Sequence, residues 1–256
     1  MKRKSLILIV IILVFSTFLF PDMLDDITKK GTLTVGIASG YYPFEYKNKE
    51  GKLQGFDISM AQKIGEELGV EVEFIELKFD ELLPKVAQGE FDLAISAITI
   101  TAERKRDVDF TDTYFKTGLT FLLNKSFRKS PEKELKKPGM KIGVVRDTTG
   151  DKYARKNFQQ AEIKYYKKEI PAAVAVQDKI IDAFIYDEPY LRMISNVFKQ
   201  TKVYNEFLTV EEYAIALKKN EKTFLLKLNE ILKNIKKDES YKKLQETWFR
   251  VDIEDK

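Results

Sequence analysis

The 256-residue sequence contains no cysteine and no histidine. Disulfides are excluded, and so are thiol nucleophiles, Ser-His relays and zinc sites of the usual kind. No metal and no cofactor is expected. A charge field of one sign is also missing. The 44 basic residues are interspersed with 40 acidic ones and the net charge is +4, which argues against a nucleic-acid surface. What is present is a globular composition, 44% hydrophobic and 33% charged. That is too apolar for a disordered chain and long enough for one large or two modest domains.

The N-terminus carries a basic start, Met1-Lys2-Arg3-Lys4, followed by an almost unbroken apolar run from Leu6 to Phe20. This is the layout of a secretory signal. Residues 1–22 are therefore expected to be a signal peptide or an N-terminal membrane anchor, and the protein is expected in the periplasm or on the extracellular face of the membrane. Ser16-Thr17-Phe18-Leu19-Phe20-Pro21 is a poor cleavage site and there is no cysteine for lipid attachment. Tethering by an uncleaved segment thus stays open, although the run is shorter than the ~20 residues of a typical spanning helix.

Beyond it, the hydrophobic periods alternate between two and 3.6. Leu33, Val35 and Ile37 predict a strand. Gly55-Phe56-Asp57 opens a helix with the stripe Met60, Ala61, Ile64 and Leu68, closed by Gly69. Val70, Val72 and Phe74 predict a second strand, Leu82 to Ala87 a helix, and Phe91 to Thr99 a buried third strand. This βαβαβ order implies a parallel sheet. It restarts at Met140, with strands at 141–145, 163–166 and 181–186 and helices near 153–158 and 171–176. Two such blocks predict two lobes, joined by strand-like segments at 114–123 and 211–217. Amphipathic helices end the chain, one with Phe224, Leu225, Leu228, Ile231, Leu232 and Ile235, the other with Tyr241, Leu244 and Trp248.

Ligands of parallel α/β sheets bind outside the carboxyl ends of the strands. The residues gathered there are Tyr41, Phe79, Ser96, Ala97, Thr99, Arg104, Thr148, Thr149, Gly150 and Asp187. A guanidinium at Arg104 suits a carboxylate, gripped by two parallel hydrogen bonds. Thr148, Thr149 and Gly150, where a strand meets a helix, also suit an anion. Asp187 suits an ammonium, and Tyr41 and Phe79 suit the walls of a clamp. Each also has a plainer use: Arg104 solvated at a helix start, Asp187 or Thr148 as a cap, Phe79 in the core. Together they fit a small zwitterion held between two lobes.

These residues carry a resemblance over nearly the whole chain. Tyr42-Pro43-Phe44-Glu45, Gly51-Lys52-Leu53-Gln54-Gly55-Phe56-Asp57, Ile98-Thr99-Ile100-Thr101-Ala102-Glu103-Arg104 and Val108-Asp109-Phe110-Thr111-Asp112 resemble motifs of the periplasmic amino-acid-binding proteins, bacterial extracellular solute-binding family 3. The resemblance implies a two-lobe α/β periplasmic-binding-protein fold with two hinge crossovers, of type II. Lobe 1 would span residues 23–116 and 214–256, and lobe 2 residues 117–213.

It also implies that Arg104 holds the α-carboxylate of a free L-amino acid and Asp187 its ammonium. Thr99, Ser96 and Ala97 would make adjacent contacts, Tyr41 and Phe79 the walls, and Thr148, Thr149 and Gly150 the second-lobe carboxylate loop. The partner would be the membrane permease of an ABC transporter, with the receptor a monomer and not an enzyme. Two departures bear on the ligand. Ala38 stands where several relatives that bind basic or amide side chains carry an aspartate, and Arg146 precedes the second-lobe loop. Both point to a polar uncharged or acidic ligand. Asp147 replaces the usual glycine before Thr148. Two other classes share the fold: a signalling sensor and a dehydratase-like enzyme.

Overall fold

The computed structural model describes residues 22–249. Residues 1–21 of the expected export segment therefore lie outside the described residues, as do residues 250–256. Helix α1 (Met23–Lys30) leads into β1 (Thr32–Ile37), a short ribbon β2 (Tyr46–Lys47) and β3 (Leu53–Gln54), then α2 (Phe56–Leu68), β4 (Glu71–Glu76), α3 (Phe79–Gln88), β5 (Leu93–Ala94) and β6 (Asp109–Phe110). The second block holds β7 (Phe115–Thr117), β8 (Leu119–Asn124), α4 (Pro131–Glu134), β9 (Lys141–Val145), α5 (Thr149–Asn157), β10 (Glu162–Tyr166), α6 (Glu169–Gln177), β11 (Ala183–Asp187), α7 (Glu188–Val197) and β12 (Thr201–Val203). The chain returns through β13 (Glu211–Tyr213) and β14 (Ala216–Leu217) to α8 (Lys222–Lys237) and α9 (Glu239–Phe249).

Two five-stranded sheets result, in the orders β4-β1-β5-β14-β6 and β10-β9-β11-β8-β12. In each, four strands run in one direction, three of them the parallel set that the βαβαβ pattern requires, and one, β14 or β8, runs antiparallel between its neighbours. The reversed strand of each sheet comes from a joining segment. Residues 114–123 split into β7 and β8, and 211–217 into β13 and β14. β7 pairs with β13, Thr117 opposite Glu211, and this two-stranded ribbon is the crossing between the sheets. The fold is the expected two-lobe α/β arrangement.

Local chemistry accounts for the elements. Leu33, Val35 and Ile37 have no exposed surface on β1. Gly36 lets the Phe91 ring lie against the strand, since a Cβ there would sit 2.4 Å from a ring carbon. Gly69 ends α2 at φ 70°, a conformation glycine adopts without steric cost. The α8 stripe buries Phe224, Leu228, Ile231, Leu232 and Ile235. α9 folds back on the first lobe: Trp248 Nε1 donates to Ser59 Oγ at 3.2 Å, and Tyr241 donates to the Tyr114 carbonyl at 2.6 Å. The Phe249 ring meets Phe44, Phe56 and Phe115 beside the crossing.

One element differs from the expectation. The stretch from Phe91 to Thr99 is not a single strand, because only Leu93 and Ala94 pair within the sheet. Ile95 still donates to the Gly36 carbonyl, but Ala97 turns to φ 46° and gives its N–H to the buried Asp57 carboxylate at 2.7 Å. A side-chain acceptor thereby replaces the ladder.

Candidate functional site

Arg104 opens a short 3₁₀ turn, Arg104–Arg106, with its N–H on Thr101 Oγ1 at 3.1 Å. Its guanidinium donates from Nη1 to the Thr99 carbonyl at 2.8 Å, and its Cζ lies 5.4 Å from the centre of the Phe79 ring. Phe79 thus acts as a platform for the cation. Burial pulls the Arg104 pKa down, while the charges of Asp187, Glu211 and Glu103 oppose that fall. A guanidinium so held keeps donors free for a planar anion.

Asp187 ends β11 and stands at the N-cap of α7, yet makes no side-chain capping bond. The helix-cap use is not realised. Its Oδ2 instead accepts from the Tyr41 hydroxyl at 3.1 Å, across the cleft, and its Oδ1 is buried without a partner. Burial first and the Glu211 charge second push the Asp187 carboxyl up to about 7, against hydrogen bonds from Tyr213 and Tyr41 and the charge of Arg104. Tyr41 is the bridge between the lobes. Its ring stacks on Phe44 of the first lobe at 5.3 Å and on Tyr190 of the second at 5.1 Å. Lys152 of α5 forms an ion pair with Glu103, the residue before Arg104.

The serine loop is spent internally. Ser96 accepts the Ala38 N–H at 3.1 Å and donates to buried Glu45 at 2.5 Å. The Ala97 N–H is held by Asp57. Neither polar group points to a ligand in this arrangement; both shape the loop that presents Thr99. Thr99 in turn bridges to Tyr213 of β13, which ties the loop to the crossing.

In the second lobe Thr148 caps α5, accepting from Asp151 N at 3.3 Å. Thr149 and Gly150 fill the first helical turn, whose N–H groups have no partner inside a helix. Gly150 packs tightly, since a Cβ would lie 2.9 Å from the Ile185 carbonyl. Asp147 takes φ 65°, the glycine-like conformation of the replaced residue, and its N–H reaches Asp151 Oδ2 at 3.1 Å. Aspartate tolerates this region better than most side chains. Arg146 is exposed and stacks on the exposed Tyr165 ring, with its Cζ 4.3 Å from the ring centre. Its guanidinium is thereby engaged by a residue of the edge strand β10.

An arginine and an aspartate from the two blocks lie close enough for their charges to act on each other, with Tyr41 hydrogen-bonded to the aspartate, so donors for an anion and an acceptor for a cation stand together. Residues 33–251 match the model of bacterial extracellular solute-binding proteins, family 3. The chain belongs to that family. It is 28% identical to the L-cystine-binding protein TcyJ of Escherichia coli (strain K12) over 238 residues, 93% of this chain and 90% of the relative. It is 30% identical to the L-arginine-binding protein of Pseudomonas aeruginosa over 230 residues, 86% of this chain and 88% of that protein. Among solved structures, the ancestral amino acid-binding protein AncCDT-1, a precursor of cyclohexadienyl dehydratase, matches with a TM-score of 0.83. That match has 36% identity and covers 90% of this chain and 100% of that one.

Several residues of the site escaped the sequence reading. Tyr213, Glu211 and Thr117 lie in segments legible only as strand-like joins. Tyr186 and Tyr190 flank Asp187, yet one is a strand position and the other a helix position, so no single period groups them with Tyr41. The signal that was available is chemical: Glu211 and Tyr213 put a carboxylate and a phenol on a segment expected to bend.

Proposed function

We propose that this family member captures a free L-amino acid between its lobes and delivers it to the membrane permease of an ABC transporter. The observation that carries the reading is the facing pair: Arg104 of the first lobe, with Asp187 of the second held by Tyr41 across the cleft. Arg104 takes the α-carboxylate, Asp187 the ammonium, and the Thr149 and Gly150 amides add to the anion side. Thr99, Tyr41 and Phe79 line the site; Ser96 and Ala97 hold its loop. The receptor works as a monomer. Its lobes, 23–116 with 214–256 and 117–213, bend about the β7–β13 ribbon. The N-terminal run directs it across the membrane, or holds it there as a tether.

The ligand is an amino acid with a polar side chain. Ala38 and Arg146 favoured uncharged or acidic members in the sequence. With Arg146 stacked on Tyr165 the acidic preference loses its cation, so we retain only the polar class. A relative named for cystine and another named for arginine support that breadth. A desamino analogue and a methyl ester of the best ligand test the reading. Each should bind at least about tenfold more weakly than the amino acid, because each leaves one buried charge unpaired. Equal binding of all three would refute it.

A dehydratase-like enzyme has one observation in its favour, the Asp187 carboxyl at about 7, where it can give and take a proton. An elimination assay on cyclohexadienyl substrates separates that reading from pure binding.

A further inference from the structure

Three buried polar atoms at the lobe crossing have no hydrogen-bond partner: Glu211 Oε2, Thr117 Oγ1 and Asp187 Oδ1. Topology brings them together. Thr117 lies opposite Glu211 in the β7–β13 ribbon. Two residues further along the same strand path, Leu119 of β8 lies opposite Asp187 of β11. Two of the three residues are deeply buried, Glu211 at 4% exposure and Thr117 at 7%. Glu211 is also oriented, since its Oε1 accepts from the Thr209 hydroxyl at 2.7 Å, which leaves Oε2 as the open acceptor.

Native interiors rarely leave such groups unpaired, because an unmatched buried carboxylate oxygen or hydroxyl is costly. The ionised carboxylate of Glu211 accepts only, so its missing partner must donate; the threonine hydroxyl can accept as well. No ion pair joins Glu211 to another of the described residues, and Arg104, the cation whose charge reaches it, donates to the Thr99 carbonyl. Charge counting gives the same answer. The site gathers two carboxyl groups, Asp187 and Glu211, around one guanidinium. A zwitterionic backbone adds one charge of each sign and leaves the excess acid uncompensated. A cationic side chain compensates it, whereas an anionic one would face Glu211 in a dry pocket.

We propose that Glu211 and Thr117 form a subsite on the crossing strands that receives the cationic end of the ligand's side chain, a guanidinium or ammonium. This rests on the amino-acid reading above and adds a specificity residue to it. It also places side-chain recognition on the segment that bends, so that closure and discrimination are read by the same strands.

Calorimetric titration of the wild-type protein with arginine, lysine, glutamine and glutamate is the first test. Arginine and lysine should bind most tightly and glutamate most weakly. The second is Glu211→Gln, which keeps the size and the acceptor for Thr209 but removes the charge. The ratio of arginine to glutamine affinity should fall at least about tenfold. Thr117→Val, which leaves Glu211 in place, should lower the same ratio by a smaller factor. An unchanged ratio in both variants, or a wild type that prefers glutamate or glutamine, overturns the subsite while leaving the amino-acid reading in force. Failure of the wild type to bind any amino acid overturns both. Should Glu211→Gln not fold, the wild-type ranking and the valine variant still decide.

Discussion

Asp57→Asn should flatten the pH dependence of stability. Asp57 has no exposed surface, and its Oδ2 accepts from the Ala97 N–H at 2.7 Å and the Tyr114 hydroxyl at 2.8 Å. Its Oδ1 has no partner, and neither does Oε2 of Glu45, the other buried carboxyl beside it. Two such neighbours cannot both ionise comfortably, so one proton is shared between them. Burial foremost holds Asp57 up at about 7, from an ordinary 3.8; burial and the Asp57 charge raise Glu45 as well.

The sign follows from the direction. Between about pH 4 and 7 the folded protein keeps a proton that the unfolded chain has lost. The stabilisation is complete below the unfolded value and disappears as pH rises through the folded one. Raising a carboxyl from 3.8 to about 7 sets a ceiling of roughly 4 kcal/mol, and division of the proton with Glu45 brings the share expected of Asp57 to about 2 kcal/mol. Asparagine keeps the carbonyl that accepts from Ala97 and Tyr114 and turns an N–H₂ toward Glu45. Urea unfolding at pH 5, 6.5 and 8 measures the outcome. The wild type should lose stability across the range, and the variant should lose about 2 kcal/mol less. Asp187, also held near 7, leaves a residual slope in both. Equal slopes in the two proteins would refute the shared proton.

Other expectations follow from the same geometry. Arg104→Lys should bind far more weakly than wild type despite its charge, because an ammonium lacks the planar fork, while circular dichroism and the melting temperature stay near wild type. Asp187→Asn should weaken the amino acid while barely affecting its desamino analogue; equal losses for both would return Asp187 to a structural part. Ligand at 100 times its Kd should stabilise the protein by about 2.7 kcal/mol and raise the melting temperature. Small-angle scattering should show a smaller radius of gyration with ligand, and an unchanged radius at saturation would count against bending at the β7–β13 ribbon.

The sequence carried the fold well because its signals are local. Alternating Leu33, Val35 and Ile37, the α2 stripe closed by Gly69, and the α8 stripe all became the expected elements. What it could not carry was long-range pairing. The run from Phe91 to Thr99 has the composition of a strand, but acceptors 40 and 51 residues away, Asp57 and Glu45, draw Ala97 and Ser96 out of it. The same limit applies to the site. Arg104 and Asp187 were visible as charges at strand ends, and in the structure each charge acts on the other. Arg146 was visible in the same way, yet its direction is set by Tyr165 on a neighbouring strand. Glu211 read as one glutamate among many until the ribbon register set it opposite Thr117.

Direct calorimetric titration of L-amino acids into the wild-type protein and into Arg104→Ala is the closest test of the central claim. The account predicts a single site per chain for at least one polar L-amino acid in the wild type. It also predicts a loss of about 2–5 kcal/mol in the variant, with unchanged thermal stability in the absence of ligand. Equal affinity in the two proteins, or no amino-acid binding by the wild type, would contradict it.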